Sequence, residues 1–539
     1  MCENITNFCR IEETLMTKKF ELTEDLKRKI GALFMVGLPL GGVTKEYEEI
    51  CKKYFLGNFC LDANQVTSIE KICAVTSSLR KLAKFTQNEF PFIGIDQEGG
   101  WVTRFYAGAG MMPGAMSYAA SGADGDKMVQ MGRRLGKILR AVGCNIDNAP
   151  SLDINMNPEN PIIGTRAFGD NAAQVMNLGV NFAKGLEEEG VIAACKHFPG
   201  HGNVCGDSHL ETVVNNSSVE FLTDNDFAPF KKAVDVGIGA VMTAHVTYPN
   251  ISSEPATLSY EIITDLLRKK MKFDGVVITD AIRMKAINNL YPKGEAAVKA
   301  IEAGCDQVLL YSYTREYVEE PLEAVYKAVE SGRITEKRLD ESIERILKQK
   351  EKYKISDAEP NLKIAKKLVF DESSIAEIYD DKFRSITCIK DDGVLNNLKN
   401  KEVLCIAPDW KLHRGVEEAF EGVLSFSEIF GKAFKNATAM KMPTDEIPEI
   451  KGNYDVAVVG IFYFNSSSIQ RDIINALKEK GIPIVAVLLN SPYDFKFVSD
   501  CNAVVTCYEY TELAVRALVD AMEKNEYKGI LPIRISDGI

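Results

Sequence analysis

The sequence predicts an α/β protein in which an N-terminal (β/α)8 TIM-type barrel is followed by a doubly wound α/β sandwich domain. Eight short apolar runs alternate with amphipathic helical segments before about residue 315, which is typical of βα units and a parallel sheet. A second series of nearly continuous apolar runs follows residue 400. The length of 539 residues fits two large domains, because an α/β barrel forms a single domain of about 250 residues.

The eight predicted barrel strands are residues 32–37, 58–63, 91–96, 145–152, 192–198, 240–245, 275–280 and 307–311. Eight parallel strands are the number that closes this type of barrel. The segments between them have helical periodicity: Val175, Leu178, Phe182 and Leu186 lie on one face of a predicted helix, and Gly190 ends it.

Beyond residue 315 the chain is helical and highly charged to about residue 354, and residues 357–360 have the composition of a linker. We therefore predict a catalytic barrel domain over residues 1–354, a linker and packing helix over 355–385, and the sandwich domain over 386–539. Its predicted strands are residues 403–407, 455–462, 482–489 and 503–507. This region has no glycine-rich phosphate loop and no catalytic trio, so we expect a mainly structural role.

Charge and composition narrow the range of partners. The formal net charge of −12 argues against general binding of nucleic acid or of anionic membranes. The first 29 residues contain no apolar run long enough for a signal-peptide core or a membrane helix, so we expect a cytoplasmic protein. The thirteen cysteines lack CxxC or CxxH spacing, which predicts small core residues rather than disulfides or a zinc site.

Polar side chains stand at the C-terminal ends of the predicted barrel strands. In a (β/α)8 barrel these ends form the catalytic rim, and a random scatter of polar residues would not favour one end. The residues concerned are Asp96, Asp153, Lys196, His197, His245 and Asp280.

The loop after the fifth predicted strand holds three of the five histidines: His197, His201 and His209. In an extended loop residues i and i+2 point the same way, so Asp207 could orient and polarise the His209 imidazole. A neighbouring carboxylate favours the imidazolium form, and this would let His209 act as an acid near neutral pH. The alternative for an isolated Asp-x-His is a surface turn with an exposed histidine.

The same loop raises the possibility of a metal site, because histidine and aspartate are both metal ligands. Two imidazoles at His197 and His201 would stack only on a helix, and Pro199 makes a regular helix here improbable. We therefore predict no metal and no cofactor. Lys196 is better explained as a hydrogen-bond donor to substrate hydroxyl groups.

Asp280 ends an apolar predicted strand, so its carboxylate should project into the mouth of the barrel. The alternative is a helix N-cap for a helix beginning at Ala281, since aspartate is a favoured cap. A second rim carboxylate, Asp96, precedes Gly99 and Gly100, which permit close approach of the backbone to a ligand. Two rim carboxylates facing a cavity suit either a sugar site or a divalent metal.

Four segments together resemble glycoside hydrolase family 3, in particular its β-N-acetylglucosaminidase branch: residues 96–100 (DQEGG), 163–168, 196–202 (KHFPGHG) with 207–209, and 277–286 (VITDAIRMKA). The resemblance implies that Asp280 is the nucleophile and that His209, oriented by Asp207, is the general acid/base. It further implies sugar contacts from Asp96, Arg104, Arg166, Lys196 and His197. Two departures concern specificity: Trp101 stands where the family usually has arginine, and residues 61–64 differ from the usual sequence.

The resemblance implies a retaining exo-β-N-acetylglucosaminidase that releases terminal N-acetylglucosamine from a small carbohydrate, either muropeptides or chitooligosaccharides, through a covalent glycosyl-enzyme. A mechanism in which the substrate acetamido group is the nucleophile remains an alternative. A phosphorylase, a β-glucosidase of the same family and a catalytically silent sugar-binding protein are the other functions left open. We expect no nucleic-acid or membrane partner, and the sequence leaves a monomer or a homodimer open.

Overall fold

The computed structural model describes residues 22–86, 88, 90–208, 210–311, 313–357, 359–409, 425–443, 447–464 and 468–535. It confirms the predicted fold class: a parallel eight-stranded barrel is followed by a separate six-stranded sheet flanked by helices. No helix within these ranges is both long and apolar enough to cross a membrane. The predicted core cysteines Cys60, Cys195, Cys305, Cys405 and Cys507 are buried free thiols.

The eight barrel strands follow one another around the sheet in chain order, and β8 pairs with β1. A bridge between Ile278 and Gln307 joins β7 to the start of β8 and closes the ring. All eight predicted strands are confirmed. Most are shorter than predicted, because their end residues lie in the adjoining loops. The strands are β1 Phe34–Gly37, β2 Asn58–Leu61, β3 Ile93–Ile95, β4 Ile146–Asp147, β5 Ile192–Phe198, β6 Ala240–Thr243, β7 Val276–Ile278 and β8 Val308–Leu310.

Helices surround the barrel, and most begin at a side-chain cap. The predicted helix ending at Gly190, for example, starts after Asn171, whose side chain accepts the Gln174 N–H. A wide π-type helix spans Glu261–Lys270, and a small parallel ribbon pairs Val213–Val214 with Val246–Thr247. The α-helices are α1 Glu24–Ala32, α2 Lys45–Lys53, α3 Ile69–Phe85, α4 Ala115–Ala120, α5 Gly125–Ala141, α6 Ala172–Glu188, α7 Val219–Asp224, α8 Phe227–Asp235, α9 Lys285–Asn288, α10 Lys293–Ala303, α11 Arg315–Glu330 and α12 Glu336–Lys352.

The barrel interior is a packed core and not a pore. Side chains from the strands fill it, and residues from the segment after β8 close its N-terminal end. Burial of this apolar surface leaves only the C-terminal rim open to a ligand. The interior side chains include Met35, Cys60, Ile146, Ile192, Ala194, Met242, Val276, Ile278 and Leu309, with Phe92, Ile346, Tyr353 and Ile355 at the closed end.

Two helices, α13 Leu362–Val369 and α14 Glu372–Ser385, connect the barrel to the second sheet. The second sheet runs in the order β9-β14-β13-β12-β10-β11, and only the β9–β14 pairing is antiparallel. Its strands are β9 Thr387–Asp391, β10 Val403–Ala407, β11 Ala437–Lys441, β12 Val456–Ile461, β13 Ile484–Leu488 and β14 Ala503–Thr506. The flanking helices are α15 Phe426–Ala433, α16 Ser468–Glu479, α17 Phe495–Val498 and α18 Glu512–Lys524.

The sequence missed the two edge strands, β9 and β11, and with them the antiparallel pairing of β9 with β14. Both edge strands are half-buried or exposed along most of their length. Such strands lack the continuous apolar run that marks a strand covered on both faces, so that pattern finds only the four central strands.

A loop of the barrel inserts into the second domain. The indole of Trp101, which is 5% exposed, packs with its ring centroid 5.5 Å from Phe462 and 6.4 Å from Tyr510. These contacts place Trp101 within the hydrophobic core of the second domain. The segment that follows β3 therefore spans from the barrel rim to the second core.

Candidate functional site

The C-terminal rim of the barrel encloses a cavity of about 380 Å³. Six of the eight residues predicted for the site line this cavity, whereas Asp207 lies in the adjoining loop and His209 lies outside the described residues. The six are Asp96, Arg104, Arg166, Lys196, His197 and Asp280. Lys196 and His197 lie at the end of β5 and the others follow β3, β4 and β7, and the closure of the barrel brings these strand ends to one rim.

A buried cluster of two carboxylates and two cations forms one wall. Lys196 Nζ lies 3.0 Å from Asp96 Oδ1 and 2.6 Å from Glu98 Oε1. Arg166 donates to both oxygens of Glu98, at 2.9 and 2.8 Å, in a bidentate pair. The polar side chains of this wall are thus held in place before a ligand arrives.

Glu98 also belongs to this cluster. It is part of the DQEGG segment, but from the sequence we assigned it no role. Burial alone would raise the pKa of its carboxyl group, but Arg166 and Lys196 hold that pKa well below its usual range. Its position two residues after Asp96, at the end of a strand whose side chains alternate, is the signal that could have identified it.

Arg104 lies on the far side of Asp96. Its Nε donates to the Tyr311 hydroxyl at 3.2 Å, and its Nη2 lies 3.7 Å from Asp96 Oδ2. Burial raises the pKa of the Tyr311 phenol well above its usual value, so the hydroxyl stays neutral. The wall thus presents alternating donors and acceptors, which suit a ligand rich in hydroxyl groups.

Asp153 is fully buried behind His197 and holds its ring. Asp153 Oδ2 lies 2.7 Å from His197 Nδ1, and Oδ1 accepts the backbone N–H of His201 at 2.6 Å. With Nδ1 donating, Nε2 of His197 accepts from Arg166 Nη2 at 3.4 Å. Burial alone would raise the pKa of the Asp153 carboxyl, but His197 and His201 hold it below its ordinary value. The sequence placed Asp153 on the rim without a role.

His201 fastens the loop that carries Asp207 and Ser208. His201 Nε2 lies 2.9 Å from Ser208 Oγ, and burial lowers the pKa of this imidazole to about 4, so it is neutral at pH 7. The Ser208 carbonyl in turn accepts the Ala286 N–H at 3.2 Å. The loop is therefore joined on one side to the segment after β5 and on the other to the segment after β7.

The alternative of a metal site is not supported by the geometry. In the parts of the chain that the structure describes, no three His, Cys, Asp or Glu side chains are grouped so that they could hold an ion. His197 and His201 point to different partners, Asp153 and Ser208. Their ring centroids are 6.1 Å apart.

Asp280 stands two residues after the last residue of β7, and its Oδ1 accepts the Ala281 N–H at 2.6 Å. No helix begins at Ala281: α9 starts at Lys285, after Met284. The helix-cap alternative is therefore wrong, and the N–H contact is a local turn that orients the carboxylate. His245 supports this turn, because its Nε2 donates to the Ala281 carbonyl at 3.1 Å.

Asp207 forms a turn at the foot of the loop, where its carbonyl accepts the N–H groups of Leu210 and Glu211 at 2.9 Å each. Because His209 is outside the described residues, the predicted Asp207–His209 pair stays a prediction.

The two departures from the family pattern occupy different places. Trp101 does not line the cavity, whereas Asp62 and Asn64 do. The Asp62 side chain accepts the Ala63 N–H, and the Gln65 side chain accepts the Asp62 N–H in return, which fixes a short helical turn at the rim. The segment after β2 is thus the departure that borders the cavity.

Comparisons with known proteins agree with this geometry. Residues 25–349 match the family described as glycosyl hydrolase family 3 N terminal domain. The chain is 30% identical over 509 residues to beta-hexosaminidase A of Pseudoalteromonas piscicida, covering 86% of this chain and 85% of the relative.

Two solved structures share the whole architecture. A glycoside hydrolase family 3 beta-N-acetylglucosaminidase from Paenibacillus sp. str. FPU-7 has a TM-score of 0.87 and 31% identity, covering 96% of this chain and all of that chain. A fungal multi-domain beta-N-acetylglucosaminidase of the same family has a TM-score of 0.85 and 26% identity, covering 95% of this chain and 61% of that chain.

Proposed function

Because this chain belongs to glycoside hydrolase family 3, we propose that it is a retaining exo-β-N-acetylglucosaminidase that hydrolyses terminal β-linked N-acetylglucosamine. The observation that carries the proposal is the rim cavity, in which the Asp280 carboxylate faces a wall of preorganised carboxylate, ammonium and guanidinium groups. The relatives named beta-hexosaminidase and beta-N-acetylglucosaminidase support this choice of sugar.

We propose that Asp280 is the nucleophile. Its carboxylate attacks the anomeric carbon while the bond to the leaving oxygen breaks, and a glycosyl ester forms on the enzyme. Water then attacks the same carbon, and the carboxylate leaves. The Ala281 N–H that binds Oδ1, together with His245 behind it, keeps the carboxylate in one orientation through both steps.

His209 is the proposed general acid/base. It gives its proton to the leaving oxygen in the first step and takes a proton from water in the second, while Asp207 orients its ring. A histidine is neutral after it gives up its proton, so it repels the Asp280 carboxylate less than a carboxylate acid would. The Ser208 contacts to His201 and Ala286 support this role, because they dock the loop beside the segment that carries Asp280.

The sugar itself is proposed to bind Asp96, Arg104, Arg166, Lys196 and His197. The Asp96 carboxylate offers acceptors to hydroxyl hydrogens, and the cations offer donors. Their mutual ion pairs reduce the ordering cost of binding, since the side chains are already fixed. Muropeptides and chitooligosaccharides both contain this sugar, and both remain candidate substrates.

A covalent trap tests the nucleophile. A slow 5-fluoro analogue of N-acetylglucosaminyl fluoride should leave an adduct on the peptide that contains Asp280, located by mass spectrometry. Asp280→Ala should abolish turnover of an aryl N-acetylglucosaminide. Asp274→Ala is the matched control, because this exposed aspartate lies at the opposite end of the same strand, paired with Lys348. Absence of an adduct in an active enzyme would favour the acetamido group as nucleophile.

Leaving-group dependence tests the acid. His209→Ala should slow hydrolysis least for aryl glycosides with good leaving groups, because these need little protonation. Equal slowing for all leaving groups would exclude His209 as the acid. Running the assay with and without phosphate distinguishes hydrolysis from release of N-acetylglucosamine 1-phosphate, the product expected of a phosphorylase. The cytoplasmic location and the domain boundaries stay predictions.

A further inference from the structure

Four cationic residues line the rim cavity, and three of them are neutralised inside it. Lys196 and Arg104 contact Asp96, and Arg166 forms the bidentate pair with Glu98. The fourth is Arg283. No salt bridge or side-chain hydrogen bond joins its guanidinium group to any residue that the structure describes. The Arg283 charge is therefore available to a ligand in the cavity.

The position of Arg283 indicates which part of a ligand it would meet. Its side chain is exposed on the mostly buried segment between Asp280 and Ala286, and the Ala286 N–H donates to the carbonyl of Ser208. Arg283 is thus adjacent to the point where the loop bearing the proposed acid docks. An acid must reach the leaving oxygen, so the leaving group occupies this side of the cavity and the sugar occupies the side of Lys196.

We propose that Arg283 binds a carboxylate on the leaving-group portion of the substrate, so that the enzyme prefers N-acetylglucosaminides with an anionic aglycone. This inference rests on the proposed function. A guanidinium group offers a planar fork of donors that matches a carboxylate in two parallel hydrogen bonds. The chain carries a net charge of −12, which repels anions in general, so a local cation at the cavity mouth is what such a preference requires.

A matched pair of substrates tests the inference: the 3-carboxy-4-nitrophenyl and the 3-carboxamido-4-nitrophenyl β-N-acetylglucosaminides. They differ in charge and little in shape, so the ratio of their kcat/KM values isolates the charge. The ratio should fall about five- to twentyfold in Arg283→Ala, the range between an exposed ion pair and a charged hydrogen bond. Arg283→Lys should restore part of it, and added salt should reduce the wild-type ratio.

Lys285→Ala is the control, because Lys285 is an exposed cation two residues away that does not line the cavity. It should keep the wild-type ratio. An unchanged ratio in Arg283→Ala, or equal losses in Arg283→Ala and Lys285→Ala, would overturn the inference.

Direct binding separates this inference from the proposed function. Calorimetry with the Asp280→Asn protein should show tighter binding of the carboxylated glycoside than of its amide, and the Arg283→Ala, Asp280→Asn double variant should show no difference. If wild type cleaves neither glycoside, the proposed function fails while this binding comparison still decides the role of Arg283. Equal binding of both glycosides to Asp280→Asn would refute that role.

Discussion

The ion pair between Lys382 on α14 and Glu509 in the second domain lies beside the loop that carries Glu98, and both side chains are 1% exposed. Glu509 Oε1 binds the Lys382 ammonium, and Oε2 accepts the Gly114 N–H at 2.9 Å. A Cβ at Gly100, which has φ +57°, would lie 2.6 Å from Glu509 Oε2. Glu509 therefore packs directly against the backbone that follows Glu98.

We expect Glu509→Gln to destabilise the protein by about 3–5 kcal/mol, because it leaves the Lys382 ammonium buried without a counter-charge. Lys382→Met should cost less, about 1–3 kcal/mol, because the Glu509 carboxylate keeps the Gly114 N–H and the Thr511 hydroxyl, which lies 3.3 Å away. The double variant should lose less stability than the sum of the losses in the two single variants, because it removes both buried charges together.

Urea unfolding followed by tryptophan fluorescence measures these costs. Trp101 is on a barrel loop and packs in the core of the second domain, so in a Trp410→Phe background its signal reports the separation of barrel and sandwich. Glu523→Gln is the matched control: Glu523 pairs with Lys399 at 2.8 Å, but the side chains are 35% and 52% exposed, and we expect a cost below about 1 kcal/mol. A Glu509→Gln protein as stable as this control, or strictly additive single variants, would refute the reasoning.

Three further predictions concern buried ionisable groups. Burial raises the pKa of Asp226 to about 7, so its charged form destabilises the folded state increasingly as the pH rises from 3.8 to 7. Asp226→Asn should therefore raise the stability by about 2–4 kcal/mol at pH 8 and leave it unchanged at pH 3.5; equal effects at both pH values would contradict this. His201 has a pKa of about 4, so between pH 6.5 and 4 it stays neutral in the folded protein while the unfolded chain binds a proton. The free energy of unfolding of the wild type should therefore fall by about 3 kcal/mol over this range. His201→Asn should show a correspondingly smaller loss in thermal unfolding over that range. Glu98→Gln leaves Lys196 and Arg166 under-neutralised, and it should lower kcat/KM for chitobiose at least tenfold, with an unchanged circular dichroism spectrum as the folding control; retained activity would show that Glu98 does not organise the site.

The sequence by itself was sufficient to predict the barrel and to predict that most candidate residues lie together at one rim. Apolar runs mark buried strands through local composition, and a parallel barrel brings the C-terminal ends of all strands to one rim. Asp96, Lys196, His197 and Asp280 could therefore be assigned to one cavity although up to 184 residues separate them. The half-exposed edge strands of the second sheet lack this local signal.

Only the tertiary structure decided which side chains meet. The pairing of Glu98 with Arg166, and the hold of Asp153 on His197, depend on side-chain direction across strands, which a linear pattern does not contain. Trp101 was expected to affect specificity, yet it packs into the core of the second domain. A contact between two separately formed cores depends on how those cores dock, and no local pattern in either segment encodes that docking.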